Sequence, residues 1–96
     1  MANRRVERKL RKLSQRLKAV REELAVIGEQ AQHMTDDAES SRLQAMVSDD
    51  GNVAREHRAS SRHAEKLAAR QATLRDELGE LELKQDELLD QMSSGA

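Results

Sequence analysis

Two adjacent carboxylates, Asp49 and Asp50, precede Gly51 and Asn52 and form the sharpest chemical candidate in the chain. Oxygen ligands suit Mg²⁺, and a carboxylate pair at the tip of a projecting element can hold that ion in another protein's site. Asp and Gly are also ordinary turn residues, which gives the same stretch a purely structural reading. A second candidate is cationic. Arg4, Arg5, Arg8, Lys9, Arg11 and Lys12 crowd into one short run that could grip nucleic-acid phosphates. The plainer reading of such a run is a solvated, internally paired face. The chain has no aromatic residue on which a base could stack. His33, His57 and His63 include no pair at i, i+4, so the sequence points to no metal site. Ser40, Ser41, Ser60 and Ser61 lack a neighbouring base and orienting group, and are expected instead to let two helices approach closely. Neither a catalytic constellation nor a cofactor motif is present, so no enzymatic activity and no cofactor are expected.

The elements that must position these residues follow from apolar periodicity. Val6, Leu10, Leu13, Leu17, Val20, Leu24, Ile27, Ala31, Met34 and Ala38 recur with alternating spacings of four and three, the signature of a coiled-coil stripe. The stripe weakens to Ser41 and Ala45. A second stripe alternates Val53, Ser60, Leu67, Leu74, Leu81 and Leu88 with His57, Ala64, Gln71, Leu78, Gln85 and Met92. Ser48-Asp49-Asp50-Gly51-Asn52 is the cluster of turn formers between them. The heptad phase breaks there: continuing the first repeat puts a core position at residue 52, and the second puts it at 57. A shift of five is not one of the usual coiled-coil insertions, so a single unbroken rod is not expected.

Composition agrees. The chain has 96 residues, 36% of them charged, no Pro, no Cys, and a net charge of −1. A closed globule would normally bury aromatics, which cover the most area per residue. A long-helix composition without them fits an elongated helical assembly. No disulfide framework is possible. The apolar runs are too short for a membrane span or a signal-peptide core, so a cytoplasmic protein is expected. The preference for Arg over Lys suggests a bacterial source.

Charge orders the two segments. Residues 1–21 carry nine basic and one acidic side chain, and residues 22–52 one basic and eight acidic. Residues 53–75 carry six basic and two acidic, and residues 76–96 one basic and seven acidic. The net charges are therefore +8, −7, +4 and −6. Antiparallel pairing sets the first block beside the fourth and the second beside the third, opposite signs in both cases. A parallel dimer would set like against like. One register satisfies both stripes: Leu10 with Leu88, Leu17 with Leu81, Leu24 with Leu74, Ala31 with Leu67, Ala45 with Val53. The same blocks run against the helix dipoles, basic at each start and acidic at each end.

An acidic turn at the end of a paired helical stalk resembles, in shape and tip charge, the coiled-coil finger of bacterial transcript-cleavage factors. That resemblance implies a finger inserted into an enzyme channel such as that of RNA polymerase, with Asp49 and Asp50 at its tip. Leu43, Met46 and Val47 lie off the core stripe near the turn, as do Leu83 and Leu89 near the other end. They could form a second apolar surface for a partner or for self-association. Alternatively, a break at Thr35-Asp36, a plausible N-cap, would give a three-helix arrangement.

The sequence thus predicts an all-α antiparallel coiled-coil hairpin in one domain, residues 1–96. Helix 1 is expected over about 3–47, a turn over 48–52, helix 2 over about 53–92 and a frayed tail over 93–96. Dimerisation into a four-helix assembly is expected, because a lone hairpin this small buries little of its surface. Gly28 and Gly79 sit inside the helical pattern, where a close helix approach would explain them. The expected function is protein–protein interaction, as a small adaptor or regulator of a larger machine. The alternatives are nucleic-acid binding through the basic first helix and the acidic finger.

Overall fold

The computed structural model describes residues 2–94. It contains two helices, α1 (Ala2–Val47) and α2 (Gly51–Ser94), joined by Ser48, Asp49 and Asp50. No strand occurs among the described residues. The fold is an all-α helical hairpin. The expected frayed tail is corrected at Ser93 and Ser94, which continue α2; Gly95 and Ala96 lie outside the described residues. No described helix is long and apolar enough to cross a membrane.

The chain divides into two compact units. One pairs α1 up to Leu24 with α2 from Thr73 onward, and contains the +8 and −6 charge blocks. Its buried side chains are Leu17, Val20 and Leu74. Arg16 and Glu77 bridge its helices: Arg16 Nε donates to Glu77 Oε1 at 2.8 Å, and Nη2 of the same guanidinium donates to the same oxygen. The other unit runs from Ala25 to Ala72, contains the turn, and brings together most of the acidic second block and most of the basic third block. It buries Ile27 and Ala31. In this unit Ser41 Oγ lies 3.2 Å from His57 Nδ1, a cross-helix pair that falls on the predicted register.

The heptad reading holds at every position. All twelve stripe residues on α1, from Val6 to Ala45, are buried or half-buried, and so are all twelve on α2, from Val53 to Met92. Long helices of this kind draw their stability from such a packed stripe rather than from propensity. The three-helix alternative is overturned. α1 runs unbroken through Thr35, whose hydroxyl donates to the Ala31 carbonyl at 2.8 Å. Thr35 therefore satisfies itself against its own helix, a pattern open to a mid-helix threonine, and does not cap a new one.

Close helix approach does not explain the two mid-helix glycines. A methyl group at Gly79 would meet nothing within 4 Å, and one at Gly28 would meet only the Gln71 side-chain amide at 3.6 Å, an ordinary contact. Neither glycine has positive φ. Close helix approach does not require them, and each costs its helix about 1 kcal/mol relative to Ala. Gly79→Ala should therefore stabilise the protein by about 0.5–1 kcal/mol. Leu74→Ala should destabilise it by about 2–5 kcal/mol. Urea unfolding followed by circular dichroism measures both, and a Gly79→Ala variant less stable than the parent would show that the site is more crowded than described.

Candidate functional site

At the turn, Asp50 has a structural occupation. Its Oδ1 accepts from the Asn52 amide at 3.0 Å, and its carbonyl accepts from the Val53 amide at 3.2 Å. This is an N-cap: the carboxylate satisfies an amide that the first helical turn leaves without a partner, and it sits at the positive end of the dipole. The cap begins α2 at Gly51, two residues before the predicted start, and shortens the turn to three residues. Gly51 is the first helical residue rather than the bend, and open space surrounds it. Ser48 supports the corner, its Oγ accepting from the Asp50 amide at 3.1 Å. The start of α2 is thus not opposed by charge, as its basic block alone suggests. Asp49 is exposed. Among the described residues, no three His, Cys, Asp or Glu side chains gather as a metal-holding group.

Near the turn Ser41, His57, Ser60 and Ser61 line the seam, whereas Ser40, expected to do the same, does not. Ser41 donates to the Ala38 carbonyl at 3.0 Å, which commits its only proton. The Ser41 oxygen can then accept from His57 Nδ1–H across the helix pair. Ser60 and Ser61 are half-buried, whereas Ser40, His33 and His63 are exposed.

The basic run of α1 is solvated but not internally neutralised as a whole. Arg11 lies 4.0 Å from Glu7 on the same helix. Arg5, Arg8, Lys9 and Lys12, which follow one another around one helical face, have no carboxylate partner among the described residues. They line a shallow recess of about 250 Å³. Arg4 is exposed on the same run.

A second recess, about 460 Å³ and open to solvent, lies along one flank of the α1–α2 pair in the same unit. Its floor is apolar, formed by Leu13, Leu81 and Leu88, all half-buried stripe residues. Its rim carries Lys9, Lys12 and Arg16 from α1 with Lys84, Glu87 and Gln91 from α2. Sequence reasoning missed this groove and Lys84 with it. The available signal was position: with Leu10 and Leu78 as heptad a, Lys9, Arg16, Glu77, Lys84 and Gln91 all occupy g, and antiparallel pairing sets g against g.

The off-stripe apolar residues are exposed, as expected. Leu43 is 56%, Met46 73% and Val47 89% exposed, and their i, i+3, i+4 spacing places them on one face at the end of α1. Leu83 and Leu89 are also exposed, as is Val26, which the sequence reading passed over.

Comparison of the chain with family models, curated proteins and solved structures returns no match.

The cap assignment makes the two turn carboxylates unequal. Asp50→Ala should cost about 0.5–2 kcal/mol of stability, whereas Asp49→Ala should stay within about 0.5 kcal/mol of the parent. Paired thermal and urea melts of the two variants decide this. Equal losses would mean that Asp50 is not the cap.

Proposed function

We propose that this chain is a non-enzymatic protein–protein interaction module, a small cytoplasmic coiled-coil adaptor or regulator that acts as a homodimer on a larger machine. The observation that carries the reading is the clustered exposure of Leu43, Met46 and Val47 on the outer face of α1. Side chains of this size gain from leaving water, at about 25 cal/mol per Å² of apolar surface. Grouped exposure of this kind marks a contact surface more often than a solvated one. Core size supports association as well. A two-helix seam without aromatics leaves most of its leucines half-buried, and a second copy would add burial that small domains need.

Sedimentation equilibrium at micromolar concentration should give a dimer. The double substitution Met46→Glu with Val47→Glu should weaken dimerisation at least tenfold while helicity is retained. A parent that stays monomeric throughout would remove the homodimer. Affinity capture from the native cytoplasm tests the wider reading: the captured protein should survive nuclease treatment and be lost with the same double substitution.

Nucleic-acid binding is the second reading, favoured by one observation. Arg5, Arg8, Lys9 and Lys12 share a recess with no carboxylate partner among the described residues. If all four met phosphates of duplex DNA, the binding constant would fall with salt at a log–log slope of about −4. Fluorescence anisotropy with a short duplex measures that slope, and a slope near zero would exclude the reading.

A further inference from the structure

We propose that the flank groove over Leu13, Leu81 and Leu88 is a docking site for an acidic amphipathic helix of a different protein. This rests on the interaction-module reading and names the chemistry of one of its partners.

One charge in α2 is out of place. The last block of the chain, residues 76–96, has seven carboxylates and one cation, and that cation is Lys84. The block lies beside the most basic segment of α1. Internal complementarity would place a carboxylate at every flank position there. Glu77 follows that logic and holds Arg16. Lys84, one heptad further on, breaks it, because it lines the same recess as Lys9 and Lys12. Like charges gathered on one rim oppose the pairing they border. A local conflict of this sort is expected where a surface serves binding rather than folding.

The shape selects the occupant. The groove is bounded by residues 9–16 of α1 and 81–91 of α2, which corresponds to about 10–15 Å along a helix axis. That is two to three turns of a third helix, whose apolar residues at i, i+3 or i+4, and i+7 would seat on the three leucines. Carboxylates flanking that stripe would meet Lys9, Lys12 and Lys84. A second copy docked groove to groove would not fit. A two-fold interface sets a patch against itself, and here it would set a net positive rim, Lys9, Lys12, Arg16 and Lys84 against the one carboxylate Glu87, against its own copy. The homodimer surface proposed at Leu43, Met46 and Val47 belongs to the other unit.

The test uses the full chain and a labelled synthetic 21-residue peptide with Leu at heptad a and d and Glu at e and g. A twin peptide carries Lys at e and g. Anisotropy should show binding of the acidic peptide and at least tenfold weaker binding of the basic one. Lys84→Glu should weaken acidic-peptide binding at least tenfold and raise the thermal midpoint of the free protein, because it replaces a like charge on the rim with a complementary one. That opposed change in binding and stability separates a docking residue from a structural one. Unchanged peptide binding in Lys84→Glu, or a lowered midpoint, would overturn the proposal. So would Lys84-dependent binding of duplex DNA or of phosphatidylglycerol vesicles without binding of the acidic peptide. If the peptide fails while capture through Met46 and Val47 persists, the groove inference falls and the interaction reading stands. If only DNA binds, both fall.

Discussion

Two paired helices can shield only the stripe they share. Here that stripe is built from Leu, Val, Ile, Ala and Met with no aromatic residue. Deep burial is confined to a few positions, among them Leu17, Val20 and Leu74 in one unit and Ile27 and Ala31 in the other. Around them Leu10, Leu13, Leu24, Leu67, Leu78, Leu81 and Leu88 are only half-covered. Each fully buried leucine contributes about 1.5–3 kcal/mol, and a half-covered one correspondingly less. The hairpin is therefore held by a narrow line of contacts, and the leucines left at its margin are an available surface. Stability and recognition draw on the same side chains.

Electrostatics acts on that line as a selector more than as a source of energy. Exposed ion pairs contribute at most about 1 kcal/mol each. Arg16 and Glu77 form such a pair, with the guanidinium half-exposed. What the charge blocks supply is a difference between arrangements. The +8 block shares a unit with the −6 block, and most of the second, acidic block shares one with most of the third, basic block. The reverse arrangement would oppose like charges over whole segments. Register is fixed more locally, by the three-residue turn and the Asp50 cap, which set how soon α2 begins. The Ser41–His57 contact then falls opposite without a slip.

Much of this was legible in the sequence because periodicity and charge are properties of the chain alone. Every stripe residue from Val6 to Ala45 and from Val53 to Met92 turned inward, and the antiparallel orientation could be read from block signs. The misreadings concern residues whose role depends on a choice between partners. Asp50 could be turn, ligand or cap, and only the geometry of the Asn52 amide decides. Thr35 could start a helix or bond back to Ala31, and composition treats both alike. Gly28 and Gly79 suggested close approach because a glycine in a helix has a cost, yet the space around Gly79 is open. The flank groove was hidden for another reason. It is made by residues about seventy positions apart, and it becomes visible only when heptad flanks are compared across the pairing rather than along each helix.

At Lys84 the charge pattern and the unfinished burial meet. In a sequence shaped only to close the hairpin, position 84 would be acidic, since the facing segment is the most basic in the chain and position 77 already follows that rule. A lysine there gives up a favourable pairing and crowds a rim that Lys9 and Lys12 already make positive. The half-covered leucines beneath give that rim an apolar floor, so the unfavourable charge and the unfinished burial coincide in one place. An incoming helix with carboxylates beside its apolar stripe would relieve both at once, covering Leu13, Leu81 and Leu88 while neutralising the lysines. A helix with cationic flanks would bury the same area and worsen the repulsion. The groove therefore discriminates between partners by charge while drawing its binding energy from the leucines, which is how a narrow seam with little stability to spare can still be selective.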